Sequence, residues 1–318
     1  MLTPPIPLTS PNFATQTKKE RRLRLSVLYA LPLGFLIASL SQAATTTTVD
    51  IQSAGRSRQF IAYVPTSYDP ATPTPLLFMM HGLLSSAADA ARPYGPYRWQ
   101  DLAEQEGFIV LFPNSYQDDS WDMNPADANF VRDMISWSIE NYNIKTTHIF
   151  STGHSMGAFF SYYAATQLRN DTHPISVFAG HSGGIIAGLW PTIVPSSPPQ
   201  LRGMLLHSPG DSVVPYSWSA DLHSTLLSRG HISELVTLAN SLDHNWDRSY
   251  NSVQWDFFLA QAPADPAPPP PPPVPSIGPF GIGILAALMI AGAVTRAGRR
   301  PSHSGLAKSF GRSNSQSV

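Results

Sequence analysis

A serine between two glycines is the part of this sequence best suited to chemistry. It stands in Gly153-His154-Ser155-Met156-Gly157, after an apolar stretch of strand type and before a helical pattern. In a strand–turn–helix of this kind, the small residues at both ends allow a sharp turn that exposes the serine hydroxyl at a helix N-terminus. The motif predicts a nucleophile at Ser155, with Gly153 and Gly157 as the glycines of the turn. An inert serine at a strand end is the alternative.

A nucleophilic serine needs a base and an acid that orients the base. In this architecture the order along the chain is Ser, then Asp or Glu, then His. Asp211 follows an apolar stretch that ends at His207, and His244 follows another that ends at Leu238. We predict that His244 takes the proton of Ser155 while Asp211 holds the other ring nitrogen. The alternatives are a turn-capping role for Asp211 and a surface position for His244.

The other histidines are weaker candidates for the base. We expect the side chain of His154 to point away from the serine and to serve packing. Five others lie at less suitable positions: His148, His181, His207, His223 and His231. The sequence contains no histidine spacing typical of a metal site and no glycine-rich phosphate loop, so we expect neither a metal nor a cofactor.

A nucleophilic serine also needs backbone N–H groups that bind the negative charge developing on the attacked carbonyl oxygen. One should come from Met156, directly after the nucleophile. The loop after an early strand should provide the second, and we predict the N–H of Leu83, next to Gly82; a plain turn is the alternative. Four aromatic residues could line the pocket or belong to the core: Tyr94, Tyr97, Trp121 and Trp246.

The elements that must position these residues lie between residues 44 and 262, where apolar runs of strand length alternate with helical patterns. The predicted strands are 59–64, 76–80, 108–112, 148–151, 175–179, 204–207 and 235–238. The predicted helices are 99–105, 126–142, 155–168, 217–228 and 251–259. This alternation predicts an α/β fold with a mostly parallel central sheet and helices on both faces. Each predicted site residue follows a strand, where ligands bind in such sheets.

Composition excludes several classes of protein. The 318 residues include no Cys, which rules out disulfides, thiolate metal sites and a cysteine nucleophile. Residues 44–262 contain 19 acidic and ten basic residues, a net charge of −9. Because phosphate binding needs a basic face, we expect no nucleic-acid partner.

The N-terminal region predicts export. A basic cluster at 18–24 precedes an apolar run at 25–40 and the small residues Ser41 and Ala43. This order is typical of a signal peptide, here residues 1–43, that signal peptidase would remove. An uncleaved anchor is the alternative, and we expect residues 45–48 to be a flexible start of the mature chain.

The C-terminal region predicts attachment to a membrane. Residues 263–276 are a proline-rich linker that favours an extended conformation. The uncharged apolar stretch 277–295 is long enough for one membrane span, and the basic tail 296–318 would lie on the cytoplasmic side. The layout resembles the C-terminal sorting signals of bacterial surface proteins, which implies possible removal by a sorting protease. The alternative is a buried helix.

The motifs of the middle region resemble those of one branch of the α/β-hydrolases, the polyhydroxybutyrate depolymerases and the feruloyl and acetylxylan esterases. The matching stretches are 58–65, 80–82, 108–113, 127–131, 153–157, 210–216 and 244–246. The resemblance implies an exported, cofactor-free esterase that hydrolyses carboxylic esters, polymeric or small, through an acyl-enzyme on Ser155. Two positions differ from this branch, which often has glycine in place of Ala158 and usually has it in place of Asp243.

Two other functions remain open at this point. A catalytically silent binding module at the cell surface could use the same fold, although an intact set of Ser, Asp and His in the right order argues against it. An acyltransferase could use the same three residues, because only the acceptor, water or a sugar hydroxyl, differs.

Overall fold

The protein is described by a computed structural model that covers residues 43–117, 119–185 and 194–265. The chain divides into two compact units after Ala262, and the fold below belongs to the first. Its strands form one eight-stranded sheet in the order β1-β2-β4-β3-β5-β6-β7-β8. The strands are β1 (Thr45–Ser53), β2 (Arg56–Val64), β3 (Thr74–Met80), β4 (Ile109–Pro113), β5 (Ile144–Gly153), β6 (Val177–His181), β7 (Arg202–His207) and β8 (Ile232–Thr237). Strand β2 is antiparallel to β1 and β4, and the other neighbouring strands are parallel.

Helices cover both faces of the sheet, as the sequence predicts. They are α1 (Ala87–Ala90), α2 (Trp99–Glu106), α3 (Pro125–Asn141), α4 (Met156–Leu168), α5 (Tyr216–Ser228) and α6 (Asn251–Gln261). Helices α3, α4 and α5 contribute to one apolar cluster, and α1, α2 and α6 contribute to the other. The α/β prediction is therefore confirmed.

The central strands are apolar on both sides because both sides are covered. In β3, Leu76, Phe78 and Met80 belong to one cluster, while Leu77 and Met79 belong to the other. Successive side chains of a strand point to opposite faces, so a strand between two helical layers needs an unbroken apolar run. The unbroken apolar runs therefore predict the buried strands from the sequence.

The first strand shows where that signal fails. Residues 45–48, predicted to be a flexible start, belong to β1, and that prediction was wrong. The strand pairs antiparallel with β2 from Thr45 opposite Val64 to Ser53 opposite Arg56. Most of its side chains are exposed, so it has no apolar pattern to detect. β-branched threonines favour a strand, but only pairing with β2 decides it.

None of the described helices combines the length and the apolar composition needed to cross a membrane. The predicted signal peptide, apolar span and basic tail lie outside the described residues, apart from residue 43, as does most of the predicted linker.

A buried ion pair joins β2 to the start of α3. Arg58 and Asp127 are 3% and 0% exposed, and Arg58 Nη2 lies 2.6 Å from Asp127 Oδ1. The other carboxylate oxygen accepts the backbone N–H of Asp122 at 3.0 Å, and the guanidinium lies 4.0 Å from the ring centre of Phe130. The pair therefore fixes the loop that leads into α3.

We expect Asp127→Ala to lower the free energy of unfolding by about 3–5 kcal/mol, because it leaves the buried Arg58 charge without its carboxylate partner. Urea unfolding followed by circular dichroism measures this loss. Asp101→Ala, which removes the more exposed partner of Arg98, is the matched control and should cost less than about 1 kcal/mol. Equal losses in the two variants would contradict the role of the buried pair.

Candidate active site

Ser155 occupies a strained turn between β5, which ends at Gly153, and α4, which begins at Met156. Its backbone angles are φ 55° and ψ −120°, a conformation that residues with a side chain rarely adopt. The backbone N–H of Ser155 donates to the carbonyl of His181 at 2.9 Å, which ties the turn to the end of β6. The serine therefore lies at the N-terminus of a buried helix, as the motif predicts.

The two glycines of the turn are required by close backbone contacts. A Cβ on Gly153 would lie 2.2 Å from the carbonyl oxygen of Gly157, and a Cβ on Gly157 would lie 2.2 Å from that of Met80. Neither position can accommodate a side chain unless the backbone moves. The spacing of the motif thus reflects the packing of α4 against β3 and β5.

We expect Gly157→Ala to destabilise the fold by about 3 kcal/mol or more, because its methyl group would overlap a backbone carbonyl. Gly82→Ala is the matched control: its Cβ would lie 3.5 Å from the nearest atom, an ordinary contact. Urea unfolding of both variants compares them. A shared transition midpoint would show that the close approach at Gly157 is not limiting.

Asp211 and His244 form the hydrogen-bonded pair predicted from the sequence. Asp211 follows β7, His244 lies in the loop after β8, and His244 Nδ1 is 2.8 Å from Asp211 Oδ2. The side chain of Asp211 is fully buried, and its Oδ1 accepts the backbone N–H groups of Val213 at 2.9 Å and Val214 at 2.8 Å. The His244 side chain is 18% exposed, so the base remains reachable.

The environment of Asp211 favours its charged form. Burial alone would raise its pKa, but the hydrogen bonds from His244 and from the backbone N–H groups of Val214 and Val213 hold the pKa below its ordinary value. Asp211 is therefore a carboxylate at neutral pH. It can fix the orientation of the His244 ring and stabilise the positive ring that forms when His244 takes a proton.

His154 connects the turn that holds Ser155 to the loop that holds His244. Its Nε2 lies 3.1 Å from the backbone carbonyl oxygen of His244, and the centres of the two rings are 4.9 Å apart. Desolvation, followed by the proximity of His244, lowers the pKa of His154 to about 4, so it is neutral. Sequence reasoning assigned this side chain to packing, and the structure adds that it packs on the loop of the predicted base. Among the described residues, no hydrogen bond joins the Ser155 hydroxyl to the His244 ring; such contacts often tighten only when substrate binds.

The loop after β3 passes directly beside the nucleophile. A Cβ on Gly82 would lie 3.6 Å from Ser155 Cβ, and the N–H of Leu84 donates to the carbonyl of Asp119 at 2.8 Å. Within the described ranges, the N–H groups of Leu83 and Met156 have no hydrogen-bond partner. These are the two amides that the sequence analysis assigns to oxyanion binding.

The aromatic residues near the site belong mainly to the core. Tyr97, Trp121 and Trp246 are 6%, 2% and 8% exposed, which favours the core alternative, whereas Tyr94 is 90% exposed. Trp121 Nε1 donates to the carbonyl of His81 at 2.7 Å. This contact, together with the Leu84–Asp119 hydrogen bond, holds the loop that carries Leu83.

The two departures from the branch pattern are accommodated locally. Ala158 stands where a second glycine is common, but it faces Gly180 and Gly183, whose missing side chains leave room for its methyl group. Asp243, before His244, has the positive φ of 53° that favours glycine. Its Oδ1 accepts the N–H of Ser212 at 2.7 Å, which fixes the loop in this conformation.

Comparisons with known proteins support the fold. No family model matches the sequence. A solved ferulic acid esterase from Anaeromyces mucronatus superposes with a TM-score of 0.53, at 20% identity, over 69% of this chain and 90% of that one. The chain has the α/β-hydrolase fold. It is 32% identical over 136 residues to a bifunctional acetylxylan esterase/xylanase from Neocallimastix patriciarum, and 32% identical over 132 residues to a probable acetylxylan esterase A from Neosartorya fischeri.

These matches cover 42% and 38% of the chain, and only 19% and 34% of the two curated relatives. The hydrolase fold explains why the site lies where it does. The three predicted residues Ser155, Asp211 and His244 follow β5, β7 and β8, whose carboxyl ends meet at one edge of the parallel part of the sheet.

Proposed function

We propose that this protein is a serine esterase that hydrolyses carboxylic esters through an acyl-enzyme on Ser155. The observation that supports it most directly is the 2.8 Å contact between His244 Nδ1 and Asp211 Oδ2. The loop of His244 also contacts His154, which lies in the strained turn of Ser155. The similarity of the chain to acetylxylan esterases supports the same class of reaction. The silent binding module and the acyltransferase are alternative outcomes of the experiment below.

In the proposed reaction, Ser155 Oγ attacks the ester carbonyl carbon while His244 Nε2 accepts the hydroxyl proton. Asp211 stabilises the positive ring through Nδ1. The N–H groups of Leu83 and Met156 bind the oxyanion, and His244 then gives its proton to the departing alcohol. Water, activated by His244, attacks the acyl-enzyme and releases the carboxylic acid. Apart from the ester and the water molecule, every group in this reaction comes from the chain itself.

The proposed substrates are acetyl or feruloyl esters of the kind named in the relatives, with 3-hydroxybutyrate esters as the second class because the motifs also resemble polyhydroxybutyrate depolymerases. The test is a panel on the full chain: p-nitrophenyl esters of increasing acyl length, methyl ferulate, acetylated xylan and 3-hydroxybutyrate oligomers. Serine-dependent release from xylan or ferulate supports the first class, and release from the oligomers alone supports the second.

Two results, obtained when a serine-directed phosphonate and a sugar acceptor are added to the panel, would contradict the proposal. A folded protein with no turnover and no reaction with a serine-directed phosphonate would indicate the binding module. Acylation of Ser155 followed by faster transfer to an added sugar than to water would indicate the acyltransferase.

We also propose that the esterase acts outside the cytoplasm and is attached to the membrane through the C-terminal span. The support is the order of basic, apolar and small residues at 18–43 and of apolar and basic residues at 277–318. Cell fractionation of the full chain, followed by N-terminal sequencing, tests cleavage near Ala43.

A further inference from the structure

A second histidine contacts the carboxylate that orients the base. His207, the last residue of β7, is fully buried, and its Nε2 lies 3.2 Å from Asp211 Oδ2, the oxygen that also binds His244 Nδ1. We propose that His207 is a positioning residue that shares this oxygen with His244 and thereby limits how strongly Asp211 binds the base. The inference rests on the proposed esterase function of the same site.

The contacts of His207 specify where its proton lies. Nε2 is 3.0 Å from the carbonyl oxygen of Val214 as well as 3.2 Å from Asp211 Oδ2, and both atoms can only accept. Nε2 must therefore carry hydrogen. Burial lowers the pKa of His207 although its contacts with Val214 and Asp211 oppose this, which favours a neutral ring. Nδ1 lies 2.7 Å from Ser219 Oγ, which also lies 2.8 Å from the carbonyl oxygen of Gly183, so a neutral ring competes with that carbonyl for the single hydroxyl hydrogen.

This arrangement saturates the buried carboxylate. Oδ1 of Asp211 accepts two backbone N–H groups, from Val213 and Val214, and Oδ2 accepts one ring N–H from each of two histidines. Each donor to a carboxylate stabilises its negative charge and leaves less of that charge for the others. Without His207, the hydrogen bond between Asp211 and His244 would be stronger. The Asp211 carboxylate, with one donor fewer, would be less firmly oriented.

Other titratable groups surround the contacts that Asp211 makes with His207 and His244. They are His154 at the turn, His181 at the end of β6, Asp243 and His244 in the loop after β8, and Tyr216 at the start of α5. Desolvation lowers the pKa of His154 to about 4 and that of His181 to about 2, so these two rings stay neutral through the range in which an esterase is assayed. The partly exposed Asp243 accepts the backbone N–H of Ser212, which lowers its pKa, and it is charged.

The sign of the pH effect follows from this electrostatics. Removing the His207 donor leaves more negative charge on Oδ2 to stabilise the positive form of His244. We therefore expect the acid limb of kcat/KM to move upward in pH when this donor is removed. The loss of one hydrogen bond to a charged group corresponds to a shift of about 1–2 pH units. We also expect kcat/KM to fall about tenfold, because the Asp211 carboxylate is less firmly oriented.

The test compares three variants of the full chain on p-nitrophenyl acetate. We expect His207→Leu to show the upward shift and the tenfold loss, and His207→Gln, which retains an N–H donor, to restore most of both. His223→Leu is the matched control, because His223 bonds to Ser233 and lies outside this network. A folded His207→Leu with an unchanged pH profile, or an equal shift in His223→Leu, would overturn the proposal.

A second measurement does not depend on turnover or on the folding of His207→Leu. In the ¹⁵N-histidine NMR spectrum of the wild-type chain, we expect His207 to be protonated at Nε2, with a resonance that moves in Asp211→Asn. An unprotonated Nε2, or a resonance indifferent to Asp211, would overturn the proposal. This spectrum tests the contact between His207 and Asp211 without any ester. A wild-type chain that is inactive on every ester would therefore contradict only the esterase function.

Discussion

Ser155→Ala is expected to abolish ester turnover while leaving the fold intact. Loss of a serine nucleophile lowers kcat by about 10³–10⁶-fold, because the remaining groups can bind the substrate and the oxyanion but cannot form an acyl-enzyme. The measurement is kcat/KM on p-nitrophenyl acetate, with thermal unfolding recorded in parallel. Ser136→Ala removes a hydroxyl on the exposed side of α3 and should keep full activity.

A covalent probe tests the same residue from another direction. We expect a serine-directed phosphonate to add one adduct to the wild-type chain at Ser155 and none to Ser155→Ala. The strained backbone at φ 55° places this hydroxyl at the N-terminus of α4, where the helix dipole favours negative charge. Retention of more than about a tenth of the activity in Ser155→Ala would rule out the nucleophile assignment, because loss of a triad residue normally costs orders of magnitude.

The second large effect is expected for Asp211→Asn, which should lower kcat by about 10⁴-fold. An asparagine can present an N–H where His244 Nδ1 needs an acceptor, so the ring loses its orientation and its positive form loses a counter-charge. Steady-state kinetics on p-nitrophenyl acetate measures the loss. Asp243→Asn is the matched control, since its retained Oδ1 can still accept the Ser212 N–H, and it should change kcat by less than about threefold.

Comparable losses in Asp211→Asn and Asp243→Asn would contradict the assignment, because they would show that any change of charge in these loops is sufficient. The two carboxylates lie close together, Ser212 donating to Asp243 and Val213 to Asp211. The difference between them is burial and the 2.8 Å bond to His244.

The pH dependence of stability gives a further prediction for Asp211. Its folded-state pKa is lowered, so its ionised form stabilises the fold above its unfolded pKa, and this contribution is lost as pH falls through the lower folded pKa. Between pH 5 and 7 the wild-type contribution should be constant. Urea unfolding at pH 6 and pH 3 should therefore show a smaller acid-induced loss of stability in Asp211→Asn than in the wild type.

The sequence alone determined the features that depend on short stretches of chain. The motif from Gly153 to Gly157 predicted the turn, because the required small residues are its direct signal. The apolar runs predicted the central strands, because a strand covered on both faces must be apolar throughout. The order of Ser155, Asp211 and His244, each after a strand, predicted that Asp211 contacts His244. In the structure, Asp211 Oδ2 lies 2.8 Å from His244 Nδ1.

Tertiary structure decided what depends on residues distant in the chain. The strand at residues 45–53 exists because β2 pairs with it, and its exposed threonines give no burial signal. The sequence places His207 at the end of a strand but does not show its partner. Only the fold brings its Nε2 to 3.2 Å from Asp211 Oδ2. Likewise, His154 contacts the loop of His244 only because β5 and β8 end at the same edge of the sheet. Contacts of this kind depend on the positions of several strands at once, whereas a local pattern records only a residue's neighbours along the chain.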